Sequence, residues 1–308
     1  MSVTEAVAAL DCGSNSTRLL IATRESQVRR EMRITRLSQG VDASSALRPD
    51  ALERTYAVLD TYRSLMDDAK VHRGLLVATS AVRDASNGVE FLDEARRRCG
   101  VDVRLLSGLE EASFSYAGAT AGLEPDVNPT MIIDIGGGST ELAVELEGVM
   151  LSYSMQLGCV RVTERALGRD VVTPESSAAA RTMIESELDR AWVAVPAFSA
   201  LFGRVRLIGL AGTVSTLAQL DTGVSLYQRD AVHHRCLTRK RVAYWRDALA
   251  NESPQARLAR PGMVAGREDV LHAGLYILDA VMERLGVDQL LSSENDILDG
   301  VVAWLFRA

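Results

Sequence analysis

An acidic residue followed by a glycine turn, with a short apolar run on each side, occurs twice in this chain. The first copy is Asp11-Cys-Gly-Ser-Asn-Ser-Thr17, and the second is Asp134-Ile-Gly-Gly-Gly-Ser-Thr-Glu141. Two apolar runs joined by a polar glycine turn indicate a β-hairpin. The copies are separated by about the length of one domain, which is often about 100–200 residues. The repeat therefore predicts two related lobes that each begin with a hairpin.

Outside the hairpins, strand-like and helix-like segments alternate. In the first half, the apolar residues of 52–66 share one helical face, 74–79 is a buried apolar run, and 89–98 is helical again. The alternation resumes after 124–129, a polar stretch that contains two prolines. Alternating strands and helices indicate an α/β protein. We therefore expect a first lobe over 1–125 and a second lobe that starts at residue 126.

Composition and charge exclude several classes of protein. The chain is 47% hydrophobic and 24% charged, which is typical of a packed globular protein. Its formal net charge of −7 argues against nonspecific nucleic-acid binding. No run approaches the roughly 18 apolar residues that a membrane span needs, and the N-terminus has no basic leader before an apolar stretch. We expect a cytoplasmic protein with neither a nucleic-acid nor a membrane partner.

The cysteines do not form a metal-binding or disulfide pattern. Cys12, Cys99, Cys159 and Cys236 are scattered, with no CxxC pair and no histidine at ligand spacing. Reduced thiols without zinc are therefore expected. Cys12 lies inside the first turn, and we expect it to be a buried packing thiol.

Both turns combine the groups that a phosphate oxygen needs. Glycine permits positive φ and lets backbone N–H groups approach a ligand, while Ser and Thr hydroxyls add neutral donors. The residues expected to bind phosphate are Gly13, Ser14, Asn15, Ser16, Gly136, Gly137, Gly138, Ser139 and Thr140. Aspartates at the strand ends can hold Mg²⁺, which takes one or two carboxylates and keeps several waters. The alternative is that each turn is a plain hairpin.

Further motifs, in matching order and spacing over nearly the whole chain, resemble the exopolyphosphatase and guanosine pentaphosphate phosphohydrolase family. Besides the two turns, they are Ala78-Thr-Ser-Ala-Val-Arg-Asp-Ala85, Ser107-Gly-Leu-Glu-Glu-Ala112, Leu157-Gly-Cys-Val-Arg161, Gly209-Leu-Ala-Gly-Thr213, Val270-Leu-His-Ala-Gly274 and Ser293-Glu294. The resemblance implies two RNase H-like α/β lobes of the actin, Hsp70 and sugar kinase superfold, with an active-site cleft between them. The second lobe would then cover 126–293, and a last helix at about 294–308 would pack back on the first lobe.

The resemblance also implies roles for individual residues. Glu111 matches the glutamate that orients or deprotonates the attacking water, a role generally worth about 10²- to 10⁴-fold in rate. Glu141 and Asp134 match further catalytic acids, and Asp134, Asp11 and Glu141 are the expected Mg²⁺ ligands. Arg83 matches an arginine that clamps a substrate phosphate. Without the resemblance, Glu111 would be read as a solvated acid at a helix start, Glu141 as a solvent-facing strand residue and Arg83 as a surface arginine.

The implied activity is Mg²⁺-dependent release of terminal orthophosphate from inorganic polyphosphate by in-line attack of water. Three alternatives remain open: a guanosine pentaphosphate 5′-phosphohydrolase, a sugar or acetate kinase of the same superfold, and a nonenzymatic sensor of polyphosphate or an alarmone. Relatives commonly dimerise, so a homodimer is expected. The net charge of −7, without the helical C-terminal region of many relatives, predicts a local grip that favours short polyphosphates.

Overall fold

The first sheet is built around the first hairpin. The computed structural model describes residues 5–307, apart from the side chain of Asp42. The elements of the first part are β1 (Val7–Cys12), β2 (Ser16–Ala22), β3 (Gln27–Ile34), α1 (Val41–Ser44), α2 (Pro49–Asp68), β4 (Arg73–Ala78), α3 (Ser80–Arg83), α4 (Gly88–Cys99), β5 (Asp102–Leu105) and α5 (Gly108–Thr120). The strand order is β3-β2-β1-β4-β5, with β1, β2 and β3 antiparallel in turn and β1, β4 and β5 parallel.

The second sheet repeats this topology around the second hairpin. Its elements are β6 (Thr130–Ile135), β7 (Thr140–Leu146), β8 (Val149–Met155), α6 (Cys159–Val162), α7 (Pro174–Ala194), β9 (Arg206–Leu210), α8 (Ala211–Thr222), α9 (Arg229–Val232), β10 (Cys236–Thr238), α10 (Arg239–Ala250), α11 (Pro254–Leu258), α12 (Leu271–Leu285) and β11 (Gln289–Ser292). The strands follow the order β8-β7-β6-β9-β11-β10. Strands β6, β7, β8, β9 and β11 therefore correspond to β1 to β5, with β10 added at the edge.

The chain divides into two compact units, one for each sheet. The first unit contains the described residues up to Gly118 together with those from Ile297 onward, and the second contains Ala119–Asp296. The last helix, α13 (Ile297–Leu305), covers one face of the first sheet, where Val301 and Leu305 pack with Val7. Both units are α/β, and their shared strand order confirms the two related lobes that the internal repeat predicts and the RNase H-like fold that the resemblance implies.

The boundary between the units lies earlier than the sequence indicated. The predicted crossing was the polar stretch 124–129, with a boundary after residue 125. The units instead divide after Gly118, within the last turn of α5, because the buried Ala119 already groups with the second unit. A change of contacts inside a continuous helix leaves no proline or glycine signal in the sequence.

Each unit has its own apolar core. In the first, α2 and α4 cover one sheet face through buried residues such as Leu59 and Phe91. In the second, the apolar face of α12 is buried along its whole length, with Leu278 and Met282 in the core. Among residues 5–307, no helix is both long enough and apolar enough to cross a membrane.

The thiols differ sharply in their environment. Cys12, Cys99 and Cys159 are buried, and burial raises the pKa of each of these thiols above its ordinary value because the thiolate is poorly solvated. Cys236 is exposed at the start of β10. The placement of Cys12 agrees with the packing role expected from the sequence.

We expect a thiol reagent to modify Cys236 rapidly in the native protein and the three buried cysteines only after unfolding. The reason is that the thiolate is the nucleophile, and burial both shields the sulfur from the reagent and disfavours ionisation of the thiol. Mass spectrometry before and after addition of denaturant measures this. Rapid native labelling of Cys12 would contradict its packing role, and Cys236→Ser is the control that should remove the fast phase.

Candidate phosphate-binding and catalytic site

The two hairpin turns have the same backbone design. The amide of Gly13 donates to the carbonyl of Ser16 at 3.1 Å, and the amide of Gly136 donates to that of Ser139 at 3.0 Å. Neither Gly13 nor Gly136 lies in the positive-φ region, so the expectation of positive φ is wrong for these two glycines. A Cβ at either position would come within 3.2 Å of the accepting carbonyl oxygen. A side chain at either position would therefore crowd the turn carbonyl.

In the first unit, the segment that follows β3 binds the carbonyl groups of the first turn. The amides of Thr35 and Arg36 both donate to the carbonyl of Asn15 at 3.0 Å, and the amide of Ser38 donates to that of Ser14 at 2.9 Å. A carbonyl oxygen pointing at a phosphate would repel it. Because these oxygens are occupied by amides, the turn is suited to an anion.

In the second unit, the start of α6 does the same for the second turn. The amide of Cys159 donates to the carbonyl of Gly136 at 2.9 Å, and the amides of Val160 and Arg161 donate to that of Gly137. This packing requires glycine at position 158, where a Cβ would lie 2.2 Å from the Gly137 carbonyl oxygen. In both units, therefore, the segment that follows the third strand of the unit, β3 or β8, donates amides to the carbonyls of the turn. This contact is part of the internal repeat.

The residue that faces the aspartate across the hairpin is positively charged in the first unit and negatively charged in the second. Asp11 pairs in register with Arg18, whose Nη2 lies 2.6 Å from Asp11 Oδ2. Asp134 pairs in register with Glu141. The first turn therefore begins with a neutralised carboxylate, whereas the second begins with two carboxylates side by side.

The acidic pair of the second unit fits a divalent cation. Residues directly opposite on antiparallel strands have Cβ atoms about 4.5–5.5 Å apart. Both carboxylates are buried, and Ser154 Oγ donates to Glu141 Oε1 at 2.7 Å. Within residues 5–307, the pair is not part of a group of three or more acidic, histidine or cysteine side chains placed to hold a metal. A two-carboxylate site matches the ligand preference of Mg²⁺.

Glu111 and Arg83, which the resemblance names as a catalytic and a phosphate-binding residue, lie close together in the first unit. Arg83 is on α3, which follows β4, and Glu111 is in the first turn of α5, which follows β5. Arg83 Nη1 donates to the carbonyl of Leu106 at 2.7 Å and lies 3.6 Å from Glu111 Oε2. Glu111 is only 8% exposed, so its negative charge is held near the guanidinium instead of in bulk water.

The neighbouring glutamate has a different role. Glu110 accepts the amide of Ser107 at 2.9 Å, while Ser107 Oγ accepts the amide of Glu110 at 3.3 Å. This reciprocal pair is a capping box at the start of α5. The amide of Ser107 and its hydroxyl hold the pKa of Glu110 below its ordinary value. Glu110 is therefore a structural residue.

The structure also identifies neighbours that the sequence left without a role. Ser14 Oγ lies 3.1 Å from Ser80 Oγ, which links the first turn to the start of α3. Thr213 Oγ1 donates to the carbonyl of Ile135 at 3.3 Å, beside the second turn. At Gly212, a Cβ would overlap the guanidinium of Arg267. The motifs that resemble the family contain Ser80, Gly158 and Gly212, but only side-chain placement shows what these residues contact.

We expect Gly158→Ala to lower activity far more than it lowers stability. The added Cβ would push the Gly137 carbonyl out of place and distort the second turn, and displacement by about 1 Å can cost about 100-fold in rate. Phosphate release and thermal unfolding, measured together, test this.

Gly148→Ala is the matched control. Gly148 has a φ of 77° in the turn between β7 and β8, with nothing within 4 Å of an added Cβ, so the change should cost about 1 kcal/mol of stability and spare activity. Equal activity losses in the two variants would contradict the proposed role of Gly158.

Comparisons with known proteins identify the family of the chain. Residues 21–305 match the Ppx/GppA phosphatase family. Exopolyphosphatase 2 of Mycobacterium tuberculosis is 36% identical, covering 96% of this chain and 97% of that protein. The crystal structure of an exopolyphosphatase-like protein has a TM-score of 0.91 at 33% identity, covering 98% of this chain and 99% of that one. A family member from Aquifex aeolicus has a TM-score of 0.79 at 30% identity, covering 98% of each chain. The chain belongs to the Ppx/GppA phosphatase family.

Proposed function

We propose that this protein is an exopolyphosphatase, a hydrolase that releases terminal orthophosphate from inorganic polyphosphate with the aid of Mg²⁺. The observation that carries the proposal is the buried Asp134–Glu141 pair beside a glycine turn whose carbonyls are capped. The turn suits a phosphate and the acidic pair suits the cation that accompanies it. The 36% identity to an exopolyphosphatase over nearly the whole chain supports the same substrate.

Asp134 and Glu141 are the residues that would hold Mg²⁺. When bound, the ion supplies charge neutralisation for the phosphoryl oxygens. The Ser154 hydroxyl fixes one oxygen of Glu141 and so helps to orient its carboxylate. Asp11, which the sequence analysis also named as a ligand, is left out, because Arg18 donates to its Oδ2 through both Nε and Nη2.

Glu111 is the proposed general base. Water attacks the terminal phosphorus while the bond from phosphorus to the bridging oxygen breaks, and the shortened chain leaves with that oxygen. The proton of the attacking water passes to the Glu111 carboxylate. Arg83, 3.6 Å from Glu111, supplies a planar guanidinium suited to phosphate oxygens. The serines and backbone amides of the two turns would add neutral donors.

Homodimeric assembly and a cytoplasmic location are part of the same proposal. The homodimer is expected because relatives in the family commonly dimerise, and the cytoplasmic location stays the prediction of the sequence analysis. Light scattering of the purified protein and fractionation of the cells that express it would test them.

Phosphate release from separate substrates tests the function. The purified protein is incubated with polyphosphate, guanosine pentaphosphate or ATP, in Mg²⁺ and without any phosphoryl acceptor. We expect polyphosphate to give the highest kcat/KM. Preference for guanosine pentaphosphate would reassign the substrate, and tight polyphosphate binding without turnover would replace the enzyme with a sensor.

We expect Glu111→Gln to lower kcat by at least about 100-fold, while polyphosphate binding stays near the wild-type level. The amide keeps the shape of the side chain and cannot accept the proton, and a general base is worth at least about that factor. Single-turnover kinetics and direct binding provide the two readings.

Glu110→Gln is the matched control in the adjacent position. It weakens a helix cap worth about 1 kcal/mol and should leave kcat unchanged. The assignment of the base fails if Glu111→Gln keeps more than about a tenth of the wild-type rate.

A further inference from the structure

A dense group of arginines lies beside the first turn. Residues 28–37 hold four arginines and one glutamate, in a chain whose net charge is −7. They form β3 and the segment after it, and β3 is an edge strand of the first sheet. The net charge of the whole chain hides this local positive excess.

Register places this group next to the turn. Arg33 pairs with Thr17, the residue that follows the turn, and the amide of Arg36 donates to the carbonyl of Asn15 within it. Arg29 lies four residues before Arg33 on the same face of the strand. At about 3.4 Å per residue, the two arginines span about 14 Å along the edge.

Two more arginines, one on α2 and one just before it, lie near the segment that follows β3. Arg54 Nε donates to the carbonyl of Thr35 at 3.0 Å. Arg48, the residue before α2, lies against Gly40, where a Cβ would be 3.3 Å from its Cδ. The segment between β3 and α1 is therefore bordered by arginines on both sides.

Each carboxylate in this group is shared by two arginines. Glu31 lies 2.9 Å from Arg29 and 3.0 Å from Arg33. Asp50 lies 2.9 Å from both Arg48 and Arg54. These four arginines are 40–56% exposed at their side chains. Two carboxylates thus hold four guanidinium groups in place and leave an excess of positive charge at the surface.

We propose that this arginine ladder, formed by Arg29, Arg33, Arg36, Arg48 and Arg54, binds the non-reacting phosphates of a polyphosphate chain. A guanidinium carries five N–H donors, so one that is held by a carboxylate can still donate to a phosphate oxygen. The first turn alone could attract only phosphates within the Debye length, which is about 8 Å at physiological salt. Because the ladder is longer than that, it would contact phosphates that the turn cannot reach. The proposal rests on the proposed exopolyphosphatase activity. It predicts that the affinity for polyphosphate rises with chain length, whereas the net charge of the chain predicted binding that favours short polyphosphates.

The test is the double variant Arg29→Gln/Arg33→Gln, which changes exposed side chains outside the catalytic machinery. We expect KM for a long, uniform polyphosphate to rise about three- to tenfold, because exposed charge contacts are individually weak. The value of kcat and the KM for tripolyphosphate should not change. The salt dependence of KM for the long chain should also become less steep, since fewer counterions are displaced.

Arg96→Gln/Arg97→Gln is the matched control. It removes the same charge from exposed, ion-paired arginines of α4, and Arg96 contacts the carbonyl of Val103 on β5, at the opposite edge of the sheet. Equal KM changes in both doubles, or none in the first, would overturn the ladder. Weaker binding of single-stranded RNA with unchanged polyphosphate KM would assign the surface to nucleic acid and also overturn it. A wild-type protein that hydrolyses no polyphosphate would instead refute the proposed function.

Discussion

The proposed chemistry of the two units depends on which residue faces the aspartate across each hairpin. One strand order and one turn design are used twice, yet Asp11 faces Arg18, with which it forms an ion pair, whereas Asp134 faces a second carboxylate, Glu141. We therefore place the proposed cation beside the second turn. Glu111 and Arg83 sit in the unit whose turn is already neutral, so the proposed base is kept on a separate unit from the proposed metal ligands.

Both turns depend on backbone contacts that arrive from elsewhere in the chain. The segment after β3 binds the carbonyls of Ser14 and Asn15, and the start of α6 binds those of Gly136 and Gly137. Because these amides donate to the carbonyl oxygens of the turns, the partial negative charge of those oxygens is directed at the amides and not at a bound anion. The same segment after β3 brings Arg36 to the turn, so the capping of the carbonyls and the arginine ladder arise from one piece of chain.

Much of the fold could be predicted because hairpins and buried strands have clear apolar patterns, and the repeat of the two turns indicated two related units. The strands β3 and β8 were missed, since each is a partly exposed third strand and β3 is rich in arginine. The motifs predicted roles for Glu111, Asp134 and Glu141, but they did not predict the ion pair between Asp11 and Arg18. That pair depends on cross-strand register, and the role of Gly158 depends on backbone contacts between segments, neither of which a local pattern records.

We propose that the acidic pair of the second unit, and not Asp11, holds the divalent cation. Electron paramagnetic resonance of bound Mn²⁺, used in place of Mg²⁺, measures this without relying on turnover. We expect Asp134→Asn to weaken Mn²⁺ binding by at least about tenfold, since few protein ligands hold such an ion, and Asp11→Asn to leave it unchanged. Equal loss in the two variants, or full binding by Asp134→Asn, would show that the pair does not hold the ion.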